Sequence, residues 1–142
     1  VRLANGPKVT VILGRAQDVD VDAYVCVTRA ARGPKSALPG SADGQPGEPV
    51  RIEVVGPRVA VHEDRSFQLA RGYREVLRVA DVWGARRIAV PATLAVGSWP
   101  FDELTRIALG TWASTPTRVE SIVVCCPTSA ALERWAEALI KR

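Results

Sequence analysis

The sequence has no methionine, a single histidine (His62), three cysteines and few aromatics. It also has no apolar run near the roughly 20 residues that a membrane-crossing helix needs. Each shortage narrows the reading. Three cysteines, two of them adjacent (Cys125, Cys126), form no disulfide framework. With one histidine they also lack the spacing of a zinc site, so no metal is expected. Buried thiols in a reducing, cytoplasmic compartment are the expectation, with inert burial favoured over a reactive thiol at Cys125-Cys126. The opening residues, VRLANGPKVTVIL, lack the apolar core and cleavage site of a secretory signal. Because the chain starts at Val1 and holds no methionine, the further expectation is a piece excised from a longer protein.

What is present is a chain of 142 residues, 47% of them hydrophobic, which fits one soluble domain over 1–142 with a core of its own. The net charge is +4, and arginine outnumbers lysine sixteen to three. The arginines are spread along the chain, which implies a mild preference for anionic partners. The positive charge is not interleaved with exposed aromatics in sequence, so nucleic acid is not an expected partner.

The stretch that organises the chain is RRIAVPATLAVGSWPF, residues 86–101. A short apolar run stops at Pro91, a small-residue segment leads to Gly97-Ser98-Trp99-Pro100, and a helix follows with Asp102 and Glu103 in its first turn. A strand, a glycine-bearing loop and a helix N-terminus make a natural seat for an anion, since backbone N–H groups and the helix dipole point there.

Taken in order, KVTVIL (8–13) is β-branched and lies between turn formers, so it reads as a strand. A polar link over 15–20 leads to a second buried strand, DAYVCV (22–27). Residues 29–48 hold three prolines and four glycines and read as a long irregular loop, about 30–49. Residues 50–62, VRIEVVGPRVAVH, read as a hairpin or two short strands about Gly56-Pro57. A helix capped by Asp64 or Ser66 runs over 67–83, with Leu69, Tyr73, Val76, Leu77, Ala80 and Trp83 on one face, and Gly84 closes it. A strand at 87–91, a helix at 101–113, a strand at 119–126 and a last helix capped by Thr128 complete the chain. The second half is thus α-β-α-β-α, which demands a partly parallel sheet with helices packed on it.

In order and spacing, VTVILGRAQDVDVDAYVCV, GYREVLRVADVWGARRIAVPA, GSWPFDELTRIAL and VESIVVCCPTSAALERWAEAL resemble macro domains, modules best known for binding ADP-ribose and related nucleotides. The resemblance covers most of the chain outside 30–47. It implies a three-layer αβα sandwich around a mixed, partly parallel sheet. It also implies ligand contacts from Arg15, Asp22, Arg29, Gly97, Ser98, Trp99 and Cys126, and no cofactor. The departures from the family are specific. Where its first strand ends Gly-Asp-Ile, this chain has Gly14-Arg15. Where its second strand ends in the asparagine that positions the distal ribose of hydrolytic members, Arg29 stands. Where a glycine-rich segment wraps the diphosphate, Arg32-Gly33-Pro34 stands, and proline donates no N–H. Gly97 matches either glycine of the second phosphate loop. Arg15 and Arg29 are expected to read phosphate or carboxylate, and Trp99 to stack on a base or ribose or to plug the helix start. His62, with Glu63 and Asp64 beside it, has no nucleophile tied to it and reads as structural.

The expected function is a divergent, non-catalytic module for ADP-ribose or a related nucleotide. The alternatives are a pseudo-macro domain that lost its ligand and serves protein partners, and an ADP-ribosyl hydrolase with a rearranged site.

Overall fold

The computed structural model describes residues 6–28, 41–43, 49–55, 65–93 and 100–140. Six strands form one sheet in the order β1-β6-β5-β2-β4-β3. They are β1 (Lys8–Leu13), β2 (Ala23–Thr28), β3 (Ser41–Asp43), β4 (Val50–Val55), β5 (Arg87–Pro91) and β6 (Ser121–Cys126). The pairings among β1, β6, β5, β2 and β4 are all parallel, and β3 joins β4 antiparallel at the edge. The helices are α1 (Arg65–Val82), α2 (Phe101–Ser114) and α3 (Ser129–Ile140). A short 3-10 turn, Ala16–Asp18, follows β1.

The sheet is asymmetric in what covers it. Strand residues of one parity (Val9, Ile122, Ile88, Ala23) enter the main core with side chains from all three helices. Residues of the other parity (Ile12, Cys125, Ala89, Tyr24) join a smaller core under the 3-10 turn. Strands β5 and β6 sit inside the sheet and are buried on both faces, which is why they read as unbroken apolar runs.

An aromatic trio joins the helices. Trp112 of α2 stacks on Trp135 of α3 at 6.0 Å and meets Tyr73 of α1 edge-on at 5.3 Å. Both tryptophans and the tyrosine are fully buried. The helix ends follow local rules. Gly84 takes φ 73° after α1, a conformation that an L side chain resists, and the Ala85 N–H donates to the Ala80 carbonyl. At α3, Thr128 Oγ1 accepts from the Ala131 N–H at 3.2 Å, which makes it the N-cap read from the sequence.

Two expectations need correction. Trp83 does not turn inward with the rest of α1; it lies beyond the last helical turn and is 47% exposed. Part of the Pro/Gly-rich stretch is regular after all, because Ser41–Asp43 pairs with β4. The proposed second strand of the hairpin, the Asp64 cap and His62 lie outside the described residues.

Candidate ligand-binding site

A cavity of about 380 Å³ opens at the C-terminal edge of the parallel strands. In an open α/β sheet this edge is where ligands sit, because the strand ends and the turns that follow them diverge there. Its floor and walls come from four strand ends: Gly14 and Arg15 after β1, Cys26 of β2, Ala92 and Thr93 after β5, and Cys125 of β6.

Each of these is placed by a local reason. The Gly14 N–H donates to the Cys126 carbonyl at 2.9 Å, continuing the ladder one step past β1, and the backbone then turns at φ 150°. A Cβ there would touch nothing within 4 Å, so the glycine serves the backbone angle and not close packing. Arg15 projects outward with 70% of its side chain exposed, and its Nε donates to Asp18 Oδ2 at 3.0 Å. That pair is too exposed to hold the guanidinium strongly, so Arg15 can turn to an anion at the mouth. Ala92 is anchored from below, since Trp135 Nε1 donates to its carbonyl at 3.0 Å in a buried bond.

Among the described lining residues Arg15 is the one charged side chain, and the rest are apolar or weakly polar. Burial raises the Cys125 thiol to about 11, with Cys126 beside it adding to the effect, and burial raises Cys126 to about 11 as well. Both stay protonated at neutral pH and behave as apolar lining and core rather than as nucleophiles. Cys26 is half-buried, and its thiol hydrogen-bonds Arg51, which with Glu53 holds that guanidinium above its ordinary pKa. Among the described residues no group of three His, Cys, Asp or Glu side chains could hold a metal ion.

The chain superposes on a mutant of the Oceanobacillus iheyensis macrodomain with TM-score 0.82 over 96% of this chain and 93% of that one, at 18% identity. It is also 45% identical over 89 residues to a macro domain-containing protein of Streptomyces coelicolor. The chain has the macro-domain fold.

A second macro domain-containing protein, from Streptomyces nogalater, is 47% identical over 72 residues. The matched segments are 62% and 50% of this chain, and they span only about half or less of those relatives, 53% and 40%. No family model matches the chain. Other macrodomain structures are alike in fold with ligands in place. The Oceanobacillus protein bound to ADP matches with TM-score 0.79 at 17% identity, covering 96% of this chain and 92% of that one. The Trypanosoma brucei macrodomain in complex with ADP-ribose matches with TM-score 0.73 at 18% identity, covering 92% and 68%.

Placed on this macro fold, the candidates separate. Arg15 lines the cavity. Asp22 does not: it precedes β2, at the opposite edge of the sheet, roughly 13 Å along the strand from the cavity-lining Cys26. Its Oδ2 accepts the Arg86 and Arg87 N–H groups at 3.0 and 2.9 Å, which ties the starts of β2 and β5 together. Asp22 is thus a stitch in the sheet and does not line this cavity. Cys126 does not line the cavity either. It is fully buried in the main core, while its neighbour Cys125 faces the cavity side. Arg29, Gly97, Ser98 and Trp99 lie outside the described residues.

The helix start named as an anion seat is partly described. Pro100 supplies no side-chain cap to α2, while Asp102 and Glu103 in its first turn already complement the dipole, with Asp102 held by Arg134 at 3.2 Å. Gly14, Cys26 and Thr93 are lining residues that the sequence reading did not name as contacts. Gly14 carried a signal, a glycine directly behind a strand; the other two carried none.

The Asp22 assignment makes a prediction. Asp22→Ala is expected to lower stability by about 1–2 kcal/mol, because it removes two hydrogen bonds at an exposed site, and Asp22→Asn by much less. Affinity for a nucleotide in the cavity should stay within about twofold of the parent. Urea unfolding and calorimetry on the two variants check this. A folded Asp22→Ala protein that no longer binds would return Asp22 to the ligand site.

Proposed function

We propose that this chain binds ADP-ribose or a related nucleotide in the cavity at the strand C-termini, and that it does so as a non-catalytic module. The observation that carries the reading is the cavity itself, open among the described residues at the sheet edge where Arg15 stands ready for phosphate. Support comes from ADP-ribose and ADP complexes of macrodomains with this fold. The non-catalytic part rests on chemistry. The described lining offers no carboxylate or imidazole to move a proton, its Cys125 thiol is held protonated, and arginine replaces the family's asparagine at position 29. The free thiols fit a reducing, cytoplasmic setting.

Arg15 takes the place of an acidic residue that accepts from adenine in the family pattern. With a donor there, selectivity should move away from the adenine amino group and toward phosphate charge. Isothermal calorimetry with ADP-ribose, ADP and inosine diphosphate ribose tests this. The expected result is saturable binding of all three with little preference for adenine, weakened about tenfold or more by Arg15→Glu. Absence of heat at millimolar ADP-ribose with folded protein removes the proposal and leaves the protein-interaction reading.

A further inference from the structure

Helix α1 carries a second feature, remote from the cavity. Phe67, Arg71, Arg74, Arg78 and Val82 recur at intervals of three and four and line up on its outward face. A cavity of about 590 Å³ lies between this face and the connection from α2 to β6, where Thr115, Pro116 and Arg118 form the opposite wall. Four arginines therefore face one groove.

Their partners decide what the groove can accept. Glu75 holds Arg78 through hydrogen bonds to its guanidinium. Asp81 accepts through Oδ1 from Thr117 Oγ1 at 2.9 Å and from the Arg118 N–H at 3.0 Å, which pins the connection and leaves its charge in the groove. Four arginines against these two acids leave the groove net positive. Arg71, Arg74 and Arg118 are exposed and have no acidic partner among the described residues. Phe67 is 61% exposed at the end of the stripe, with the Arg74 guanidinium over its ring at 5.8 Å. Phe67, Arg71, Arg74 and Arg78 thereby line about 16 Å of helix, with Arg118 across the groove from them.

We propose that this groove binds single-stranded nucleic acid. Arg71, Arg74 and Arg118 would each meet a backbone phosphate through planar, bidentate donors. The exposed Phe67 ring would stack a base, with the guanidinium beside it adding cation–π attraction. An acidic polypeptide would satisfy the cations yet make no use of the ring, which is why nucleic acid is the better fit. The groove reaches the N-terminal edge of the sheet, through the connection leading into β6, so it is separate from the nucleotide cavity.

Fluorescence anisotropy of a labelled single-stranded 20-mer RNA tests the proposal. Three neutralised phosphates predict a salt slope near −2, hence a roughly twentyfold loss of affinity between 50 and 200 mM salt. Arg71→Gln/Arg74→Gln/Arg118→Gln should weaken binding at least about tenfold at 50 mM salt and flatten the slope. Phe67→Ala should weaken it at least about fivefold with the slope unchanged. All four positions are exposed, and unchanged ADP-ribose binding by the triple variant would show that the cavity is intact. The proposal is overturned if the RNA fails to bind at 50 mM salt, if the triple variant or Phe67→Ala binds like the parent, or if polyglutamate competes as well as unlabelled RNA at equal charge.

Discussion

Trp135→Ala is expected to remove about 3–5 kcal/mol of stability, among the larger losses open to a single core truncation. The indole is fully buried and stacks on Trp112, which in turn meets Tyr73, so one truncation opens a void where α1, α2 and α3 converge. It also strips the buried Ala92 carbonyl of its donor, a loss that the structure cannot pass to water without rearranging. Against a total of about 5–15 kcal/mol for a domain of this kind, the variant would be marginally folded. Trp135→Phe separates the two effects. It keeps most of the packing and loses the hydrogen bond, so it should fold with a smaller deficit, about 1–3 kcal/mol, while releasing the Ala92-Thr93 rim of the cavity. Its nucleotide affinity should therefore fall although residue 135 never touches the ligand. Circular-dichroism-monitored urea unfolding paired with calorimetry measures both. Parent-like stability of Trp135→Ala would mean that the three helices are held together elsewhere.

Filling the cavity should have the largest effect on binding. Cys26→Trp places an indole at a half-buried lining position in a space of about 380 Å³, so nucleotide affinity should fall at least about a hundredfold. Stability should change little, since the new side chain replaces solvent rather than core. The substitution removes the bond between the thiol and Arg51, an exposed group that keeps Glu53 as a partner at 3.1 Å. Thermal unfolding alongside ADP-ribose titration reads the split. A Cys26→Trp protein that binds as tightly as the parent would place the ligand somewhere other than this edge of the sheet.

Much of the fold was legible because the chain punctuates it. KVTVIL is bounded by turn formers and is strand β1 with the same limits, and Pro127-Thr128 marks where β6 stops and α3 starts. The three-residue β3 was not legible, since three residues inside a Pro/Gly-rich stretch carry no measurable alternation. Within the site, Gly14-Arg15 could be read as a strand end with a turn behind it. Cys125 and Cys126 could not be told apart. In a strand buried on both faces every residue is apolar, so the phase of the pleat leaves no mark in the sequence, and a one-residue error exchanges cavity for core. Asp22 shows a different limit. Its position in the family's pattern is plain, but a motif position does not say which edge of the sheet a residue serves, and the backbone N–H groups of Arg86 and Arg87 decide that. The groove beside α1 was hidden for a different reason: its helix arginines recur at helical spacing, but Arg118, far along the chain, joins them only through the fold.

The most direct test of the account is amide chemical-shift mapping by NMR during titration with ADP-ribose. The nucleotide seat proposed here predicts the largest, saturable shifts at Gly14, Arg15, Cys26 and Thr93, with the amides of Arg71, Arg74 and Arg118 unmoved. Shifts confined to α1 and the connection leading into β6, with the strand C-termini silent, would contradict it.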